Sequence, residues 1–141
     1  MFKYAAAIGI DIGRYFLRTA VIRIEGEVLY KDVVDLKETQ DKDYLLSQIK
    51  TSIQKTRQYV APKGINPICI GIAVKGFVDH QAGIVLGPDQ GVKGWTNVSV
   101  SRIINKETGL PVFVGNDANL MTIGEHRYGA AKGFKNVIFL T

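Results

Sequence analysis

The chain sets short apolar runs between polar interruptions, and the spacing of the apolar positions changes along it. Residues 5–13 are apolar except for Asp11, and residues 15–24 partly alternate, so together they read as a strand, a tight turn and a returning strand. Glu25, Gly26 and Glu27 lead to a third run over 28–36, which completes an antiparallel meander. From Asp41 onward Leu45, Ile49 and Ile53 recur at helical spacing, and the helix is predicted to stop before Pro62, Lys63 and Gly64. Residues 68–74 are nearly all apolar, the pattern of a strand covered on both faces. A Gly- and Asp-rich excursion over 76–94 follows, longer than a plain loop and therefore expected to be functional. A short helix over 98–108, a strand over 111–115 and a helix over 117–127 come next, and the apolar run 137–140 is expected to open a new strand that the chain does not finish.

Two places in this pattern carry candidate chemistry. The apolar run that begins at Val112 stops abruptly at Asn116, Asp117 and Asn119, which places Asp117 at a strand-to-helix turn. Ligands of open α/β sheets collect at the carboxyl ends of strands, where an Asp can take a proton from a hydroxyl while a neighbour such as Asn116 orients it. The competing reading makes Asp117 only a helix N-cap, a common role for Asp. The second place is the end of the first strand, where Asp11 stands beside Gly13. An acid next to a glycine that admits a phosphate to the backbone suits a nucleotide-phosphate or magnesium site, and a plain hairpin turn is the alternative.

Composition narrows the classes. With 141 residues and 46% hydrophobic composition the chain is expected to form one core. No apolar run approaches the roughly 20 residues of a membrane span, and the first residues do not read as a signal peptide, so a cytoplasmic protein is expected. Cys69, the single cysteine, reads as an inert core residue, and His80 and His126 have no partner at ligand spacing, so no metal site is predicted. The formal charge of +5 is scattered among acids and does not form a nucleic-acid footprint.

Three antiparallel strands followed by alternating helices and parallel strands match the α/β, ribonuclease H-like lobe of the actin and sugar-kinase superfamily. The sequence resembles the ROK family of repressors, open reading frames and kinases, which includes bacterial glucokinases, N-acylhexosamine kinases and sugar-responsive repressors. The stretches that carry the resemblance are 8–13, 71–85, Gly94-Trp95, 110–119 and 124–141. It implies an N-terminal lobe over 1–134, with 135–141 leading into a C-terminal lobe. By this resemblance Asp117 corresponds to the base that deprotonates the attacking sugar hydroxyl. Asn116, Gly76, Phe77 and Asp89 correspond to sugar ligands, and Asp11 and Gly13 to the first phosphate motif. Glu125 and Trp95 also match family positions and are expected to be structural. Phosphoryl transfer needs mainly positioning, charge neutralisation and an oriented nucleophile, which suits these roles.

Two departures stand out. Arg14 and Tyr15 follow Gly13 where the kinases carry Gly and Thr, and Lys75 replaces a common Pro. The family's second phosphate loop, adenosine pocket, further sugar ligands and zinc site do not occur before Thr141, so the chain is expected to be one lobe of a longer protein. ATP and Mg2+ are expected for the full-length protein if it is a kinase, with no tight binding by this lobe alone. The expected partners are a small-molecule sugar, the C-terminal lobe and a second copy in a homodimer, with no membrane. The alternative is the effector lobe of a repressor lacking its helix-turn-helix, and only then is nucleic acid a partner. A structural actin-like module without a sugar site is the third reading.

Overall fold

A computed structural model describes residues 5–87 and 91–140. Strands β1 (Ala6–Ile12), β2 (Phe16–Arg23) and β3 (Val28–Asp35) form the predicted meander. The turn after β1 is closed by Gly13 N donating to Phe16 O at 2.9 Å. A two-residue strand β4 (Gln40–Asp41) leads into helix α1 (Lys42–Val60), where Asp41 caps the first turn by accepting from Tyr44 N. β5 (Pro67–Val74) is followed by a short hairpin, β6 (Phe77–Asp79) with β7 (Ile84–Gly87), and by the two-residue β8 (Val92–Lys93). Helix α2 (Val100–Thr108), β9 (Val112–Asn116) and α3 (Asp117–Tyr128) complete the element order.

The main sheet runs β3-β2-β1-β5-β9, with β1, β5 and β9 parallel and the meander antiparallel. Alternation decides its core. Ala6, Ile8, Ile10 and Ile12 of β1 are buried together with Ile70, Ile72 and Val74 of β5, Leu45, Ile49 and Ile53 of α1, and Val100 and Ile104 of α2. The apolar run read as β1 and the i, i+4 spacing read as α1 are thus the two sides of one interface. Trp95 is buried in the same core, as its structural reading requires. Thr19, also inside, has a hydroxyl with no hydrogen-bond partner among the described residues.

The excursion over 76–94 is partly ordered by local chemistry that periodicity does not reveal. Asp79 Oδ1 accepts from Gln81 N and Ala82 N, each at 3.0 Å, which turns β6 into β7. β8 pairs in parallel with β4, a strand pair too short to leave a pattern. Two sequence expectations are corrected. The second helix starts at Val100, two residues later than expected, with Ser99 at the cap position. The third starts at Asp117 as expected, with Asn116 and not Asp117 as its cap. Residues 137–140 form no strand, since no neighbouring strand among the described residues offers a ladder, and Ile138 and Leu140 are largely exposed.

Candidate functional site

The parallel strands β1, β5 and β9 present their carboxyl ends side by side, and the predicted site residues Asp11, Gly13, Gly76, Phe77, Asn116 and Asp117 lie at or just beyond these ends. Val74 lies opposite Asn116 in the β5–β9 register, so the turn after β5 adjoins the start of α3. One side chain fixes that junction. Asn116 Oδ1 accepts from Asn119 N at 3.1 Å and caps α3, while its Nδ2 donates to Gly76 O at 3.0 Å. Gly76 needs its glycine, because its φ of 90° lies in the left-handed region. The Asn116 amide therefore joins two of the predicted sugar-side elements.

Asp117 follows at the first position of α3, half-buried, with Oδ1 accepting from Ala118 N at 2.9 Å. No ion pair among the described residues involves it. Gly76, Phe77 and Asn116 line one groove of about 800 Å³ together with His80, Asn119 and Phe113, while Asp117 is not among its walls. Phe77 is an exposed rim residue. Asp89 lies outside the described residues. Glu125, read as structural, holds the end of α3, with Oε2 accepting from Ala130 N at 3.0 Å.

The β1–β2 turn is built differently. Asp11 is the register partner of Arg18, and Arg18 Nη1 lies 3.1 Å from Asp11 Oδ2. The Arg18 guanidinium also sits 5.6 Å from the Phe16 ring, and that of Arg14 sits 5.5 Å from Tyr15. Two carbonyls of the turn are bolted from outside. The buried Gln40 donates through Nε2 to Arg14 O at 2.7 Å and to Lys37 O at 2.9 Å, and Leu36 N donates to Tyr15 O at 2.8 Å. The sequence reading missed Arg18, although counting back across the turn in antiparallel register would have placed it beside Asp11. In this arrangement the Asp11 carboxylate is paired with a guanidinium and the Gly13 amide bonds Phe16 O, so a phosphate approaching this turn would compete with both.

Cys69, expected in the core, is instead half-buried, because strand alternation turns Ile70 and not Cys69 into the core. Partial burial pushes its thiol above the ordinary range. No helix among the described residues is long and apolar enough to cross a membrane.

The sequence and the fold are matched by known proteins. The ROK family profile covers residues 7–141. This chain belongs to the ROK family. It is similar to the xylose repressor of Caldicellulosiruptor bescii, with 32% identity over 95% of the chain and 33% of the repressor. It is also similar to the glucokinase of Thermotoga maritima, with 29% identity over 95% of the chain and 40% of the enzyme. Among solved structures it resembles a ROK family glucokinase from Streptomyces griseus in complex with glucose and AMPPNP, at a TM-score of 0.79, with 28% identity over 92% of the chain and 38% of that enzyme. It also resembles a ROK family transcriptional regulator homologous to the E. coli MLC protein, at a TM-score of 0.75, with 28% identity over 90% of the chain and 31% of the regulator. The ROK chain described here thus spans about a third to two fifths of the length of these relatives, and kinases and repressors stand on equal footing among them.

Proposed function

We propose that this chain is the sugar-binding lobe of a ROK protein and that Asp117 receives the hydrogen of a sugar hydroxyl. The observation that carries this reading is the Asn116 amide, which holds Gly76 O and caps the helix that Asp117 begins. A sugar offers hydroxyl donors and acceptors at fixed spacing, and Gly76, Phe77 and Asn116 offer a turn, an apolar rim and a polar wall within one groove. Asp89, outside the described residues, is a further proposed sugar ligand.

In the kinase form of this proposal, the whole protein binds ATP with Mg2+ and Asp117 is the general base. It takes the proton of the sugar hydroxyl that attacks the terminal phosphate. ATP supplies the phosphoryl group when bound. The residues of this lobe orient the sugar and hold the proton at the Asp117 carboxylate. In the sensor form, a repressor-like protein uses the same carboxylate as a fixed acceptor, and no transfer follows. One observation favours the sensor form: the Asp11–Arg18 pair and the tied β1–β2 turn leave the phosphate end of this lobe closed.

The two forms separate on the protein encoded by the whole gene. Calorimetric titration with glucose, N-acetylmannosamine and xylose tests for binding, and a coupled ADP assay with the sugar that binds tests for transfer. Binding with turnover establishes the kinase form. Binding without turnover establishes the sensor form, and absence of binding to any of the three sinks the sugar-lobe reading in favour of an actin-like structural module.

A further inference from the structure

The sheet ends at β3, and that edge is open. β3 is the outermost strand of the order β3-β2-β1-β5-β9, and no strand among the described residues pairs with its outer side. At 8 residues it is a long edge. Leu36 N donates to Tyr15 O on the β2 side, and along an antiparallel ladder the residues that bond a given neighbour alternate. Leu36, Val34 and Asp32 therefore turn their backbone groups toward β2, while Asp35, Val33 and Lys31 turn theirs outward. An unpaired row of this kind is a template for another strand.

The strand is fixed from the face that α1 covers. Lys55 of α1 bonds Asp32 at 2.8 Å, and the Tyr30 and Tyr59 rings lie 4.6 Å apart. On the opposite face Lys31, Val33 and Asp35 are exposed. Neither Lys31 nor Asp35 has an ion-pair partner among the described residues. Charges commonly blunt an edge against foreign strands. Here the two charges have opposite signs and stand two positions on either side of Val33, an arrangement that admits one strand in one register.

That strand is β3 itself. Two copies paired antiparallel about a two-fold axis keep each side chain on its own face, so the axis passes through a residue position. At Lys31, Asp32 or Asp35 the axis sets identical charges against each other. At Val34 it sets Lys31 against Lys37 of the second copy. At Val33 it sets Val33 against Val33, Lys31 against Asp35 and Asp35 against Lys31, and Asp32 keeps Lys55 while it faces Val34. Opposite charges across a strand pair stabilise it, and like charges directly opposite destabilise it. The same centre brings outward backbone groups to outward backbone groups, for about six main-chain hydrogen bonds.

We propose that the β3 edge pairs antiparallel with the β3 edge of a second copy of this protein, centred on Val33, so that two five-stranded sheets become continuous. The contact is isologous, lies away from the groove that Gly76, Phe77 and Asn116 line, and is independent of which ligand the lobe binds. A strand edge is small beside the roughly 1,600 Å² of a standard interface, so the pairing is weak and exchanging.

The test uses the protein encoded by the whole gene, with Val33→Cys and Lys31→Cys introduced separately under mild oxidation. Across the proposed axis the two copies of position 33 have Cα atoms about 5.5 Å apart, within disulfide reach, whereas the two copies of position 31 lie about 14 Å apart. Disulfide-linked dimer should therefore form at least about tenfold faster with Val33→Cys than with Lys31→Cys, each measured above the unsubstituted protein on non-reducing gels. Charge reversal gives a second reading. Added to Val33→Cys, either Lys31→Asp or Asp35→Lys sets like charges across both ends of the pairing and should slow cross-linking at least about tenfold. An equimolar mixture of these two variants restores opposite charges at both ends and should recover the rate to within about threefold. Equal rates at positions 33 and 31, or no recovery on mixing, overturn the proposal. So does a Val33→Cys protein that stays unlinked, which would mean that the edge is open or covered by another segment. If a charge reversal does not fold, the comparison of positions 33 and 31 decides.

Discussion

The carboxyl ends of β1 and β9 lie two strands apart, about 10 Å at the usual spacing, and solve the same problem in opposite ways. Each carries an aspartate at a sheet end where ligands collect. At β9 the fixing is done by Asn116, so the Asp117 carboxylate bonds only the amide of the next residue among the described groups and stays unpaired by any cation there. At β1 the carboxylate itself is engaged, through Arg18, and the backbone around it is closed by Gly13, Gln40 and Leu36. The difference teaches where to look for chemistry in this lobe. A carboxylate whose neighbours are tied while it stays available is suited to receive a hydrogen, and one already satisfied within the fold is suited to hold the fold.

The contrast breaks most visibly at Asp117. In the whole protein, if it is a kinase, Asp117→Asn should cut sugar phosphorylation by roughly 10²–10⁴-fold with sugar affinity changed only a few-fold, because shape is kept and the proton acceptor is lost. Steady-state rates beside calorimetric titration check this, and an unchanged rate would reduce Asp117 to a helix-start residue. Asp11→Asn should have a much smaller effect on rate if the turn is closed as described.

Next in size is the bolt of the β1–β2 turn. Gln40→Leu removes a buried amide and leaves two carbonyls without their donor, so the 141-residue chain should lose about 1–3 kcal/mol in urea unfolding. A loss below about 0.5 kcal/mol would mean that water satisfies those carbonyls and that the turn is not held from outside.

Asn116→Ala should cost about 1–2 kcal/mol, combining a lost cap with a lost bond to Gly76 O. Asn116→Ser, which restores the cap alone, should recover part of this, and the remainder measures the link to the sugar-side turn. Full recovery by Ser would show that the Gly76 link contributes nothing. Smallest is Arg18→Gln. The Arg18 side chain is 54% exposed, so stability should fall by only about 0–1 kcal/mol, while the local charge changes fully. A larger loss would make the Asp11–Arg18 pair a stability element on a par with Gln40 and sharpen the contrast drawn here.

Much of this was legible before any coordinates. β1, β2, β3, β5, β9 and α1 follow from periodicities long enough to count, and the Gly–Asn–Asp boundary at 115–117 marks the β9–α3 junction by composition alone. What stayed hidden are features without period. β4 and β8 are two residues each and exist only as partners of one another. The cap of α3 is one residue earlier than Asp117 because both Asn and Asp serve there, and only the backbone of Asn116, at φ −64° and ψ 137°, decides between them. The run 137–140 has the composition of a strand, yet a strand is defined by its neighbour, which a one-dimensional pattern does not contain. The partnership of Asp11 with Arg18, seven positions on, emerges only when the two strands are laid in antiparallel register.

Gln40 has a consequence for how such a lobe drifts. It grips the carbonyls of Arg14 and Lys37, atoms that every residue type possesses, and so it dictates the path of the turn without reference to the side chains on it. A substitution at 14 or 15 leaves both carbonyl grips in place, so the path of the loop does not depend on which side chains it carries. The conformation of the turn is encoded 26 positions downstream of Arg14.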